Sequence, residues 1–121
     1  MNHEIQNILA TVGDMSGVVG SAVLTNDGIV VASDLGPSLA ADVIAGLSSF
    51  LISTTRRSLR DAGMGDFSRL VMSATHGKVV LMDLGEAFLV VLIDQLADIN
   101  ASGDELQRAA SELQRAARIE V

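Results

Sequence analysis

A long, nearly uncharged segment lies in the middle of this chain. From Leu39 to Thr54 the sequence carries one charged residue, Asp42, and charge returns only at Arg56. A helix on the surface of a small protein normally presents one apolar stripe and one charged face. Here the apolar residues spread over more than half of the helix circumference. The pattern predicts a helix from Leu39 to about Ala62 that is buried on one side by its own domain and on another by a second protein.

Composition limits the classes of function that this chain can serve. At 121 residues it fits a single domain, residues 1–121, and its core must be aliphatic because aromatic residues make up only 2% of the chain. Cysteine is absent, which excludes disulfides and thiolate metal sites. The net charge of −7 and the single lysine argue against binding to nucleic acid or to an anionic membrane. Because the sequence shows neither a signal-peptide pattern nor a membrane-spanning run, we expect a cytoplasmic protein.

Periodicity and turn residues predict the elements in the first half of the chain. Apolar residues at every third or fourth position indicate a helix over residues 4–12. Asparagine, aspartate and glycine at 26–28 favour a tight turn between two strands, over 21–24 and 29–33. The glycine-rich stretch 15–20 is expected to be a loop that leads into the first strand.

The second half of the chain predicts the long helix, three strands and a final helix. Pro37 or Ser38 is expected to begin the long helix, and Gly63 and Gly65 to end it. The three strands are predicted at 67–75, 79–84 and 87–93. Tight turns at 76–77 and 85–86 connect them into a meander.

The tail from Asn100 to Val121 contains a near-repeat of the motif Glu-Leu-Gln-Arg-Ala-Ala, which indicates a helix. Ser102 and Glu105 have the spacing of a capping box, in which each side chain accepts a hydrogen bond at the helix start. Two heptads are too few for a stable coiled coil, so we expect the helix to lie flat on the sheet through a stripe of small residues. That stripe comprises Leu106, Ala109, Ala110, Leu113, Ala116 and Ala117.

Short turns within each group of strands make both groups antiparallel, so the predicted fold class is α+β with a five-stranded antiparallel sheet. Such a sheet is about 24 Å wide at roughly 4.8 Å per strand. A helix of about two dozen residues is about 36 Å long at 1.5 Å per residue. The long helix is therefore expected to overhang its own sheet.

The element order and the placement of the turns resemble the roadblock family of dynein light chains and its bacterial relatives, over essentially the whole chain. The residues that carry the resemblance are Gly17-Val-Val-Gly20 before the first strand, the hairpin Asp27-Gly28, and the turns at Gly77 and Gly85. The resemblance implies a profilin-like αββαβββα fold, with the long central helix on one face of the sheet and the two terminal helices on the other. It also implies a homodimer in which the central helices pair and edge strands join into one sheet.

The resemblance also implies a function. Bacterial and archaeal members of the family are similar to regulators that bind Ras-like small GTPases in signalling or polarity, sometimes as activating proteins. Some actinobacterial members are encoded beside sensor kinase-like proteins. This chain is therefore expected to be a non-catalytic signalling adaptor whose partner is a small GTPase or a sensor kinase-like protein.

The residues themselves support a dimer independently of the resemblance. Within the predicted strand 67–75, the stretch from Leu70 to Thr75 contains no lysine, proline or inward charge to protect it as an edge strand, and only Arg69 and His76 flank it. Pairing with its copy across a two-fold axis would satisfy that edge and bury the overhanging helix. The predicted dimer interface comprises Leu47, Phe50, Leu51, Leu70, Val71, Met72 and Ser73.

The serine-lined and arginine-rich end of the long helix is the predicted surface for the second partner. The residues are Ser49, Ser53, Arg56, Arg57 and Arg60. The alternative interpretation is that the arginines complement the negative end of the helix dipole, with Arg57 and Asp61 forming an i,i+4 ion pair.

Catalytic chemistry finds little support in the sequence. His3 and His76 have no second ligand at helical spacing, and the stretch from Thr75 to Lys78 lacks the first glycine of a phosphate-binding loop. We therefore predict no enzymatic activity, no metal and no cofactor. Two alternatives remain open: a small-molecule sensor on a profilin-like sheet, which requires a convergent polar pocket, and a purely structural subunit of a larger assembly.

Overall fold

A computed structural model describes residues 3–97 and 103–120, and the side chains of the last helix as far as residue 116. Within this part of the chain, three helices and five strands follow the predicted order. Their bounds are α1 His3–Gly13, β1 Val18–Thr25, β2 Val30–Leu35, α2 Ala41–Asp61, β3 Arg69–Ala74, β4 Gly77–Asp83, β5 Ala87–Ile93 and α3 Gly103–Glu120.

The strands form one five-stranded sheet in the order β2-β1-β5-β4-β3, and every neighbouring pair is antiparallel. The predicted α+β class and the predicted meander of the last three strands are confirmed. The first hairpin joins the sheet through β1 beside β5, which places β5 at the centre. Strands β2 and β3 are left as the two edges.

Strand β5 explains why the sheet must be covered on both faces. All seven of its residues are buried, and they alternate between two apolar clusters. Leu89 and Val91 belong to the cluster that contains α1 and α3, whereas Phe88 and Val90 belong to the cluster that contains α2. A strand that is apolar at consecutive positions is typical of a strand buried on both faces. The predicted division of the helices between the two faces is therefore confirmed.

The beginning of β1 and that of α2 differ from the sequence-based expectation. Strand β1 starts at Val18, so the expected loop over 15–20 ends at Gly17, whose φ of +87° favours glycine. Helix α2 starts at Ala41 and has no side-chain cap, because its N-cap residue is Ala40; Pro37 and Ser38 lie in a turn that precedes the helix. The prediction that either residue begins the helix is wrong, since that turn intervenes before the helix.

The end of α2 follows the prediction. Gly63 has a φ of +73°, and its backbone N–H donates to the carbonyl of Arg60 at 3.0 Å. The N–H of Met64 donates to the carbonyl of Leu59 at 2.8 Å. These two bonds form a Schellman motif, which satisfies carbonyls that the helix end leaves free.

The last helix packs as predicted through its stripe of small residues. Leu106, Ala109, Ala110, Leu113 and Ala116 are buried in the cluster shared with α1. The side chain of Ala117 and the whole of Ser102, with its predicted cap, lie outside the described residues.

Candidate interface on the central helix and the edge strand

Helix α2 carries an apolar stripe on the side that faces away from the sheet. The exposed fractions are 64% for Val43, 37% for Leu47 and 64% for Phe50. Their spacing of four and three residues places them on one face of the helix. The opposite face is buried against the sheet through Ile44, Ala45, Ser48 and Ile52. We call Val43, Leu47 and Phe50 the α2 stripe.

Leu51, although it was predicted at the dimer interface, lies partly in the core. It is half-buried and packs against the apolar cluster between α2 and the sheet. Val43 was not among the predicted interface residues, yet it is as exposed as Phe50. Its position four residues before Leu47 is the sequence signal that could have identified it.

Strand β3 is an edge strand, as the sequence indicated. Among the strands of the described residues it pairs with β4 alone, and its register sets Leu70 opposite Leu81 and Met72 opposite Val79. Leu70 and Met72 are half-buried against the cluster that includes α2. The apolar face beneath α2 therefore extends to the open edge of the sheet.

The other two predicted residues of β3 are more exposed. Val71 is 40% exposed and lies opposite Val80, whose side chain belongs to the other apolar cluster. Ser73 is exposed and lies opposite Lys78. Arg69, the first residue of β3, is charged and exposed, but no residue from Leu70 to Ala74 is charged, so this part of the outer edge lacks the usual protection against pairing.

Arg56 is held by contacts within its own chain. Its Nε lies 3.2 Å from Oδ2 of Asp66, and its guanidinium carbon lies 4.9 Å from the ring centroid of Phe88. Asp66 also accepts a hydrogen bond of 2.7 Å from the backbone N–H of Phe67. The arginine thereby connects the end of α2 to the loop that follows and to the central strand. Asp66 and Phe88 are distant from Arg56 in sequence, so no local pattern could have revealed these contacts.

The remaining predicted partner-binding residues lie along α2. Ser49 is half-buried and packs closely against the β1–β2 turn. A Cβ added to Gly28 in that turn would lie only 2.9 Å from the Cβ of Ser49. Ser53 is exposed and its hydroxyl donates to the carbonyl of Phe50 at 3.3 Å. Arg57 and Arg60 are both exposed.

Spacing along α2 divides these residues into two rows. Ser49, Ser53, Arg56 and Arg60 follow one another at intervals of four, three and four residues and form one row. Arg57 lies seven residues after Phe50 and therefore extends the α2 stripe. The alternative ion pair between Arg57 and Asp61 is not formed. Among the described residues, the ion pair with a nitrogen–oxygen distance below 4.0 Å joins Arg56 and Asp66.

The described residues contain no group of three or more histidine and carboxylate side chains that could hold a metal ion. His3 and His76 are both exposed. Across residues 3–97 and 103–120, no helix has the length and apolar character needed to cross a bilayer.

These observations define a class: a small α+β domain whose central helix and sheet edge present apolar surface beside arginines. The family model of the Roadblock/LC7 domain matches residues 4–93. The chain belongs to the Roadblock/LC7 family.

Comparison with known proteins agrees with this assignment. Two uncharacterised proteins of Methanocaldococcus jannaschii are each 30% identical over 109 residues, which cover 90% of this chain and 96% of theirs. The Roadblock/LC7 domain from Streptomyces avermitilis has a TM-score of 0.82 at 23% identity, covering 93% of this chain and 97% of that one. Myxococcus xanthus MglB has a TM-score of 0.88 at 13% identity, covering 96% of each chain.

The predicted likeness to profilin is also confirmed at the level of the fold. Profilin II of Acanthamoeba castellanii has a TM-score of 0.62 at 13% identity, and the match covers 97% of this chain and 98% of that one.

Proposed function

We propose that this protein is a homodimeric, non-catalytic adaptor whose paired central helices form a platform for a Ras-like small GTPase. The observation that carries the proposal is the α2 stripe. Three large apolar side chains on one helix face remain exposed while the opposite face of the same helix is fully engaged with the sheet. Exposed apolar surface of this kind marks an interaction site.

A second copy is the occupant that the geometry favours for the α2 stripe. The stripe lies on the same side of the sheet as Leu70 and Met72, and these reach the open edge at β3. A two-fold axis beside that edge would pair β3 with its copy and bring the two α2 helices together. One symmetric contact would then satisfy both the unpaired backbone groups and the exposed apolar side chains.

The small GTPase is assigned to the row of Ser49, Ser53, Arg56 and Arg60, together with Arg57. This row remains on the surface beside the α2 stripe and carries positive charge on a chain whose net charge is −7. Arg57 and Arg60 are the residues best placed to contact an acidic surface, because Arg56 is engaged with Asp66 and Phe88. The link to a GTPase rests on the family, and the exposure and positive charge of this row support the assignment of that partner to it.

Binding to a GTPase can be tested by combining the protein with a Ras-like small GTPase encoded in the same genome, loaded with either GDP or a GTP analogue. We expect light scattering to detect a complex with one of the two loaded forms. The variant Arg57→Glu/Arg60→Glu should weaken that complex at least tenfold, because rim charges control association with charged partners.

The matched control for this experiment is Arg115→Glu, which reverses an exposed arginine on α3, on the opposite side of the sheet. It should change the affinity less than twofold. Absence of binding in both nucleotide states would reject the GTPase assignment, as would equal effects of the α2 and α3 substitutions.

A further inference from the structure

The face opposite α2 contains a groove between α1 and α3, with a volume of about 590 Å³. Its floor is apolar, since Ile8, Met15 and Ala109 line it while they are 3–9% exposed. Its rim is polar and exposed, with Glu4 on α1 and Glu105, Arg108 and Glu112 on α3. Nothing in the proposed dimer or the proposed GTPase platform uses this groove.

The negative charge of the rim favours a positively charged partner. Three glutamates face one arginine, and no described basic side chain lies within 4.0 Å of any of the three carboxylates. The rim therefore carries a net negative charge that the described residues leave uncompensated. A partner with lysine or arginine beside apolar side chains would complement both the rim and the floor.

The position of the groove, between two neighbouring helices, favours a helix as its occupant. On α1 the lining residues run from Glu4 to Thr11, which is about 10 Å at 1.5 Å per residue, and Met15 in the turn after α1 extends the lining. Two neighbouring helices form a furrow into which a third can pack at an interaxial distance of about 8–10 Å. Docking of an amphipathic helix in such a groove is a recurring mode of peptide recognition.

We propose that the α1–α3 groove binds a basic amphipathic helix of a partner protein. Its apolar side chains contact Ile8, Met15 and Ala109, and its cations pair with Glu4, Glu105 and Glu112. The site lies on the opposite side of the sheet from the α2 stripe, so a single molecule can hold one partner on each face. This proposal is independent of the homodimer and of the GTPase.

The test uses the full chain and a labelled synthetic helix of about 12 residues with leucine on one face and lysine on the other. The measurement is fluorescence anisotropy, and a peptide with glutamate in place of each lysine is the control ligand. Glu112→Lys should raise the dissociation constant at least fivefold, whereas Glu86→Lys, an equal charge change in the β4–β5 turn, should raise it less than twofold.

A steric variant tests the groove without changing charge. Thr11 is exposed and lines the groove, so Thr11→Trp should fill it and raise the dissociation constant at least tenfold. Ala10→Trp places the same side chain on an exposed α1 position that does not line the groove, and should leave binding unchanged. Circular dichroism confirms that each variant is folded.

The proposal is wrong if the basic peptide shows no saturable binding, if Glu86→Lys weakens binding as much as Glu112→Lys, or if Thr11→Trp has no effect. A change in the mass of the free protein caused by Glu112→Lys would identify the groove as a contact between copies and would also overturn it. Phe50→Glu, which alters the α2 stripe, should bind the peptide with unchanged affinity. Peptide binding is therefore measured independently of dimerisation, so either proposal can be rejected while the other stands.

Discussion

Replacement of Phe50 by glutamate perturbs the proposed dimer with little effect on the protomer. The side chain is 64% exposed in the single chain, and glutamate is a good helix former. Burial of a phenylalanine side chain removes about 200 Å² from water, so dimerisation would bury roughly 130 Å² at this position. At about 25 cal/mol per Å² this is roughly 3 kcal/mol per copy.

A two-fold axis doubles the effect, to about 6 kcal/mol per dimer, because each copy contributes one Phe50. Buried area converts only partly into affinity, since ordering and desolvation oppose it, so we take half of this figure. A loss of about 3 kcal/mol corresponds to a dissociation constant more than 100-fold higher. The glutamates would add an unfavourable buried charge.

Sedimentation velocity over a range of protein concentrations measures this change. The matched control is Leu96→Glu, which replaces a side chain that is 88% exposed in the loop after β5 and belongs neither to α2 nor to β3. We expect Phe50→Glu to shift the dimer to monomer at concentrations where the wild type and Leu96→Glu remain dimeric. A folded Phe50→Glu variant that dimerises like the wild type would refute the assignment of the α2 stripe.

Three further substitutions test the packing of α2 by urea unfolding. Ser48→Ala should raise the free energy of unfolding by about 1 kcal/mol, because the buried hydroxyl of Ser48 has no hydrogen-bond partner among the described residues; a loss of stability would show that the hydroxyl is satisfied. Gly63→Ala should lower it by about 1–2 kcal/mol, since alanine is strained at a φ of +73°. Gly46→Ala, inside α2, should instead raise it by about 1 kcal/mol, because a Cβ added there would meet no atom within 4 Å; equal signs for the two glycines would contradict the helix end at Gly63.

The parts of the fold that were predictable from the sequence are those that local physics decides. The end of α2 was predictable because Gly63 follows the last helical turn and takes a positive φ. The buried stripe of α3 was predictable because small apolar residues recur at helical spacing. The start of α2 was not, because Pro37 and Ser38 also favour turns, and a turn precedes the helix here.

In the candidate site, too, features set by local spacing were predictable from the sequence, whereas tertiary contacts were not. The spacing of Leu47 and Phe50 was sufficient to place them on one helix face. The partial burial of Leu51 depends on how α2 is rotated over the sheet, which the helical pattern alone leaves open. The contacts of Arg56 with Asp66 and Phe88 join residues from three different elements or loops, so they emerge only when the chain is folded.

The mass of the unmodified protein in solution shows directly whether the chain pairs with a second copy. Multi-angle light scattering at micromolar concentration compares the particle with the chain mass of 12.6 kDa. The proposed pairing of α2 and β3 with a second copy predicts a particle of twice that mass. A monodisperse particle of 12.6 kDa would contradict it, because the α2 stripe and the edge of β3 would then be exposed to water.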